Sequence, residues 1–435
     1  MRAGEAMRCA AALASALRSQ WSMTAALRER QRRALIAQVH QAVRHVPFYR
    51  AAYAAQGIIA DALQRLEDVA RLPILRRAQI REQPDAFLSE QGDRRAWQES
   101  HTSGSMGRPL ITWFDPDCWR QVKYALKARW LINAGFRPWH RVAVVDDVPA
   151  EELPAHATRL RVTGERWFGA RRYLSVFEAP ARHLEAYAAF RPHYIYCFPS
   201  YFAELANVWT EALRRRVPLR ALITSGESMS PALRRRVGEV FGVPVLDVYG
   251  ATEFKDIAWQ CGNAAEYHVN MESVLVEIVD EEGRAVPDGT TGEIVVTSLT
   301  NRAMPLIRYA TEDRAARLPG ACACGRGLER LSAVEGRIVD YLRLPGGDVV
   351  SPYQLTTGLS THRDVRHFKI VQRDAKTLEV AIVLRNDANG DTLDAVRDEI
   401  ERCVKRQMAV RVRQVASIPR DASGKHRAVE LAQSG

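Results

Sequence analysis

The segment His101-Thr-Ser-Gly-Ser-Met-Gly-Arg-Pro109 gathers hydroxyl side chains around two glycines, which leaves backbone N–H groups able to approach phosphate oxygens. Ser103, Gly104, Ser105 and Gly107 are its candidate contacts. The spacing is not that of the lysine-ended Gly-rich phosphate loop, and a Gly/Ser-rich stretch alone is more often a plain turn. A second constellation joins Cys261 and His268, seven residues apart, with Cys322-Ala-Cys324 some fifty residues later. Three thiols and an imidazole match the ligand composition of a tetrahedral structural Zn²⁺, although C-x-C is less usual than C-x₂-C. The alternative is free cysteines and a satisfied histidine. With four protein ligands no coordination position stays open, so the metal would be structural.

Further motifs come in order: Ile223-Thr-Ser-Gly-Glu-Ser228, Val245-Leu-Asp-Val-Tyr-Gly-Ala-Thr-Glu253, Pro305-Leu-Ile-Arg-Tyr-Ala-Thr-Glu-Asp313, Gly336-Arg337, and Pro419-Arg-Asp-Ala-Ser-Gly-Lys425. Together with His45-Val-Pro-Phe-Tyr49 and Phe198-Pro-Ser-Tyr201, this series resembles the adenylate-forming superfamily of acyl-CoA ligases, adenylation domains and luciferases. More narrowly it resembles the phenylacetate-CoA ligase branch and its capsule-biosynthesis relatives, from about residue 40 to 430. The resemblance implies an AMP-forming acid–thiol ligase that uses ATP, Mg²⁺ and coenzyme A. A carboxylic acid would become an acyl-adenylate and then a thioester. Joining a carboxylate to a phosphate brings two anions together, so the site needs positive charge. By the resemblance Lys425 is the adenylation lysine and Glu253 holds Mg²⁺; otherwise Glu253 is a surface residue at a helix start. Tyr249 offers an aromatic face to adenine, Gly226 and Gly250 allow close backbone approach, and Asp313 accepts from the ribose hydroxyls or is a turn carboxylate. Glu227, Asp247, Ala251, Thr252 and Arg337 complete the expected nucleotide contacts. Phe136, Tyr196, Phe198, Pro199 and Ser225 are expected around an aryl or arylacetic acyl group, or else in the core.

Three departures from the family pattern stand out. Met106 replaces a usual hydroxyl residue in the phosphate loop, Arg108 stands there where Lys is common, and Val339 replaces the first of two hinge aspartates, leaving Asp340. A poorly turning hinge would favour another acceptor, such as a carrier-protein thiol, an amine or a hydroxyl. A nucleotide-binding regulatory protein without turnover is the alternative from another class.

The elements that must position these residues read as an α/β fold, a large multi-sheet N-terminal domain (1–336) with a small mobile α+β C-terminal domain (337–435). Residues 1–60 are helical, with a break at Pro47. Strand-like runs at Val142–Val145, Tyr194–Phe198 and Leu222–Thr224 alternate with helices. SVLVEIVD and GEIVVTS flank a turn and predict antiparallel strands. FKIVQRD, TLEVAIVLR, a helix over 392–407 and VRVRQVASI complete the small domain. The net charge of +11 favours anionic ligands only weakly, and the runs at Arg214–Arg216 and Arg234–Arg236 read as solvated helix faces, so no nucleic acid is expected. No apolar run reaches the roughly 18 residues of a membrane span. Seven cysteines, four of them scattered singly, do not make a disulfide scaffold and point to a reducing cytoplasm; a homodimer is compatible with the sequence.

Overall fold

The structure is a computed structural model and describes residues 3–101, 110–162, 169–262, 266–335, 342–346, 349–350, 355–356, 359, 362, 364–385, 391–420 and 428–430. Three helices come first: α1 (Ala3–Ser19), α2 (Thr24–His45) and α3 (Pro47–Ala55). Pro47 stands in the first turn of α3, where its missing N–H leaves no bond unmade, and Val46 before it is extended. The buried stripe of α2 is Leu27, Gln31, Leu35, Gln38, Val39 and Ala42, the spacing of one helical face. The side-chain amides of its two glutamines donate to the carbonyls of Val274 at 2.8 Å and Asn301 at 2.5 Å.

Strands β1 (Gln98–His101) and β2 (Ile111–Phe114) pair antiparallel on either side of the Gly/Ser segment. After them β3 (Arg141–Asp146), β4 (Ala170–Ser175), β5 (Tyr194–Cys197) and β6 (Ala221–Ser225) alternate with helices and run parallel in the order β6-β5-β3-β4. Helices crossing between parallel strands cover the sheet faces, so β3, β5 and β6 read as nearly continuous apolar runs, while the edge strand β4 carries two arginines. The chain then turns antiparallel through β7 (Val245–Ala251), β8 (Lys255–Gln260), β9 (Tyr267–Val269), β10 (Val274–Val279), β11 (Thr291–Ser298), β12 (Tyr309–Leu318) and β13 (Arg330–Leu331), in the order β10-β11-β12-β13-β9-β8-β7. The expected hairpin is β10 against β11, Val274 opposite Ser298. Towards the C-terminus, β14 (Leu342–Arg343) pairs with β15 (Val349–Val350). A four-stranded sheet is built from β16 (Val365–Asp374), β17 (Thr377–Leu384), β18 (Ala409–Gln414) and β19 (Val429–Glu430), ordered β18-β17-β16-β19. Its helix, Thr392–Cys403, stops earlier than the periodicity predicts, because Lys405 and Arg406 turn left-handed at φ 52° and 55°.

Two compact units result: Met1–Phe136 with Val248–Val334, and Arg137–Asp247 with Glu335–Gly435. The expected split at 336 lies beside one of these boundaries, but residues 137–247 group with the C-terminal segment. Residues 342–430 nonetheless have their own core, in which Leu342, Leu355, Ile370, Val380, Ile382, Val396 and Ile400 are almost fully buried. In the first unit an interior charge stands out. Arg129, with no exposed surface, donates to Glu272 Oε1 at 2.6 Å and bonds the Asn270 side chain. A buried guanidinium is tolerated when its charge is paired.

Ile370 faces the small core from β16 and is paired on both sides, opposite Val380 and Val429. Ile370→Ala is expected to destabilise this core by roughly 2–5 kcal/mol. The loss should be read as faster amide exchange in β16 and β17, and unchanged exchange there would contradict the packing.

Candidate active site

In the first unit the Tyr-Gly-Ala-Thr-Glu motif forms the end of β7 and the turn into β8. Tyr249 is largely buried, and its Oη donates to Asp313 Oδ2 at 2.7 Å and lies 3.3 Å from Thr311 Oγ1. Asp313 is part of β12, so it is a strand carboxylate and not a turn residue. Gly250 is required by its own neighbours: a Cβ there would stand 2.5 Å from the Lys255 carbonyl, at the irregularity where β7 and β8 shift register. Ala251 pairs with Lys255, and Thr252 occupies the turn.

Glu253 is neither exposed nor at a helix start. It is buried, and its Oε1 accepts from Arg77 Nη2 at 2.8 Å and from Tyr309 Oη at 2.7 Å. Burial and the adjacent Glu253 carboxylate raise the Tyr309 pKa, which keeps that phenol a donor. A hard divalent cation suits a carboxylate oxygen together with phosphate oxygens and water, and Glu253 offers that donor type. Arg77 is then the cation that already balances its charge. Neither Arg77 nor Tyr309 was expected from the motifs as a site residue. Lys255, two residues beyond Glu253, was also missed: its ammonium bonds the Ser100 hydroxyl, and burial, with Lys123 adding repulsion, draws its pKa down to about 7.

In the second unit the expected acyl and nucleotide residues cluster at the carboxyl ends of parallel strands, where α/β sheets commonly bind ligands. Tyr196 lies on β5, opposite Ile223, and Phe198 and Pro199 lead into the helix Pro199–Val208. Ser225 ends β6, Gly226 comes next with φ 84°, a conformation that favours glycine, and Asp247 is buried on β7. Glu227 reaches back to that helix, accepting from Ser200 N at 2.9 Å and Ser200 Oγ at 3.0 Å. Arg420 completes the arrangement, donating to Ser200 Oγ at 2.8 Å and Glu204 Oε1 at 2.5 Å. Burial raises the Glu204 pKa and Arg420 opposes the shift. Ser200, Glu204 and Arg420 are therefore additions to the expected set; Arg420 is the Arg of the motif that ends at Lys425. Phe136 is buried in the first unit. Ser103, Gly104, Ser105, Met106, Gly107, Arg108, Arg337, Val339, Asp340 and Lys425 lie outside the described residues.

The four candidate metal ligands do converge. Cys261 directly succeeds β8, His268 lies on β9, and the two other cysteines sit between β12 and β13, whose Arg330 pairs with His268. Cys261 Sγ and Cys322 Sγ are 3.8 Å apart, Cys324 Sγ is 3.3 Å from His268 Nε2, and all four ligand atoms fall within 4.8 Å of one another. Sulfurs about 2.3 Å from one tetrahedral zinc stand roughly 3.8 Å apart, so the donor set fits that ion. Burial and nearby arginines draw His268 down to about 4, leaving its imidazole neutral and able to ligate.

The family model described as AMP-binding enzyme matches residues 169–301, and that described as CapK C-terminal domain matches residues 342–431. The phenylacetate-coenzyme A ligase of Thermus thermophilus is 28% identical over 372 residues, covering 82% of this chain and 80% of the relative. The Escherichia coli K12 phenylacetate-coenzyme A ligase is 25% identical, over 90% of this chain and 91% of its own. Among solved structures, 2-hydroxyisobutyryl-CoA ligase in its postadenylation state superposes with a TM-score of 0.80 at 22% identity, covering 96% of this chain and 92% of that one. The chain thus carries an AMP-binding enzyme domain and a CapK C-terminal domain, and the curated relatives it resembles along most of its length are phenylacetate-coenzyme A ligases.

The Arg77–Glu253 pair has a measurable signature. Arg77→Met leaves a buried carboxylate without its cation and is expected to cost about 3–5 kcal/mol, whereas Arg77→Met with Glu253→Gln should recover most of that loss. Chemical denaturation of the single and double variants reads the difference; a double variant no more stable than Arg77→Met would contradict the pairing.

Proposed function

We propose that the protein activates a carboxylic acid with ATP and passes the acyl group to coenzyme A. The supporting observation is the similarity to phenylacetate-coenzyme A ligases over four-fifths of both chains. It is joined by the retained Tyr249, Glu253 and Asp313 set on β7, its turn and β12. In the first half-reaction an oxygen of the substrate carboxylate attacks the α-phosphorus and pyrophosphate leaves. In the second, a thiolate attacks the acyl carbonyl and AMP leaves. Because AMP is a far better leaving group than hydroxide, the second step needs little beyond positioning.

Each residue has a part in this reading. Tyr249 lies along the adenine, and Asp313, already an acceptor for Tyr249, takes the ribose hydroxyls. Gly226, Glu227, Asp247, Ala251 and Thr252 border the nucleotide, as do Ser103, Gly104, Ser105, Gly107 and Arg337. Lys425 bridges the carboxylate and the α-phosphate, where its charge counts most as negative charge builds between them. Glu253 would hold Mg²⁺, which supplies charge neutralisation on the phosphates. Phe136, Tyr196, Phe198, Pro199 and Ser225 border the acyl group, and the phenylacetate-using relatives favour an aryl or arylacetic acid. Cys261, His268, Cys322 and Cys324 would hold a structural Zn²⁺ that ties β8, β9 and the β12–β13 loop together.

Carboxylate-dependent ATP–pyrophosphate exchange tests the first half-reaction. An aryl or arylacetic acid should drive exchange, and Lys425→Ala should reduce it by about 10²–10³-fold. Coenzyme A added afterwards should yield the acyl thioester. Exchange without thioester would transfer the second step to a carrier-protein thiol or an amine, and ATP binding with no exchange would favour a regulatory protein.

The metal assignment is checked independently. Protein prepared with zinc should contain one equivalent by elemental analysis. Cys324→Ser should lower the content and the thermal midpoint together, while zinc-free wild type of unchanged stability would remove the assignment.

A further inference from the structure

Lys255 is a charged side chain that the proposed reaction leaves unused. It opens β8 in a left-handed conformation, φ 61°, which bulky residues adopt rarely. Its Nζ bonds the Ser100 hydroxyl and lies 5.3 Å from the Phe114 ring centroid and 5.4 Å from that of Trp119. Among the described residues no carboxylate stands within ion-pair distance of it. The two acids that face it are engaged elsewhere: Asp256 Oδ2 accepts from Trp130 Nε1 at 2.8 Å, and Glu253 is held by Arg77 and Tyr309. The other charges facing it are cations, Lys123, whose Nζ lies 5.8 Å from the Trp119 centroid, and Lys127. An ammonium moved out of water to one hydroxyl and two ring faces, beside two further lysines, lacks a counter-anion.

Its position says where that anion would come from. Ser100 is the next-to-last residue of β1, which leads directly into the Gly/Ser segment, and Lys255 pairs with Ala251 inside the Tyr-Gly-Ala-Thr-Glu hairpin. The ammonium thus lies between the strand that leads into the Gly/Ser segment and the hairpin that carries the Tyr-Gly-Ala-Thr-Glu motif. The facing helical run over 116–133 is π-helical at Arg120–Ala125, and such turns occur often at functional sites.

We propose that Lys255, with Ser100 and the rings of Phe114 and Trp119, recognises a second carboxylate on the acyl substrate, so that the enzyme prefers an aryl-bearing dicarboxylic acid. The ammonium accepts the carboxylate that is not activated, and the rings of Phe114, buried in the core, and Trp119 hold the ammonium in place. This rests on the adenylation reading above and narrows its substrate class.

The test is exchange and thioester formation with matched acids: phenylacetate, its methyl-substituted forms, and the meta- and para-phenylenediacetates. Wild type should use at least one diacid with kcat/KM some tenfold or more above its methyl-substituted counterpart. Lys255→Met should reverse that order by raising KM for the diacid, and Lys255→Arg should restore part of it, with KM for ATP unchanged in both. Wild type preferring the monoacids, with Lys255→Met altering no acid, would overturn the proposal. So would a rise in KM for ATP with the order of acids intact, which would assign Lys255 to the nucleotide phosphates. Absence of exchange with every acid would instead count against the adenylation reading, and direct binding of the phenylenediacetates to wild type but not to Lys255→Met, by calorimetry, would still decide the Lys255 site.

Discussion

A carboxylate withdrawn from water needs its charge answered inside the protein, and in the first unit Glu253 receives that answer from Arg77 and Tyr309. These residues come from three separated stretches: a short helix before β1, the turn after β7, and the start of β12. The bonds therefore do more than satisfy one acid. They fix the turn that carries Thr252 and the strand that carries Asp313, and so hold Tyr249 and Asp313 in register. Uncompensated burial of the carboxylate would be costly, so each of the three segments draws part of its stability from the other two.

Sequence periodicity located the parallel strands, the β10–β11 hairpin and the last sheet well, because alternation and apolar runs are local properties. The Cys/His group was legible for a different reason: four soft ligands are rare in such a chain, and their chemistry implies convergence whatever the fold. What could not be read was which charges would be buried and beside what. Arg77 and Glu253 are 176 positions apart, and Arg420 meets Ser200 220 positions away. Arginine is so common in this sequence that neither stands out. Lys255 escaped for a similar reason, since two residues after an acidic motif a lysine reads as solvated. The grouping of the chain into two compact units was likewise not legible from composition. Composition marks the change near residue 336 but contains nothing about residues 137–247 sharing a unit with the C-terminal segment.

The glycines divide along the same line. Gly226 was given a nucleotide contact from its motif, and its φ of 84° is a conformation that favours glycine. Gly250 belongs to an equally recognisable motif, yet its missing Cβ makes room for the Lys255 carbonyl of its own hairpin. A motif can therefore persist because of how the backbone closes upon itself, while the neighbouring side chains face the ligand.

The alternation of the two units along the chain also has consequences for how the protein is made. Residues Met1–Phe136 belong with Val248–Val334, and Tyr49 Oη waits for the carbonyl of Pro305 and the N–H of Ile307. During synthesis at about 5–20 residues per second, the early segment spends roughly 10–40 seconds without the strands that complete it. Over that interval the apolar face of α2 has no sheet to cover it. Nascent chains of this protein should therefore depend on chaperones over the middle of translation, and slowing the ribosome there would lengthen their exposure and not help them fold.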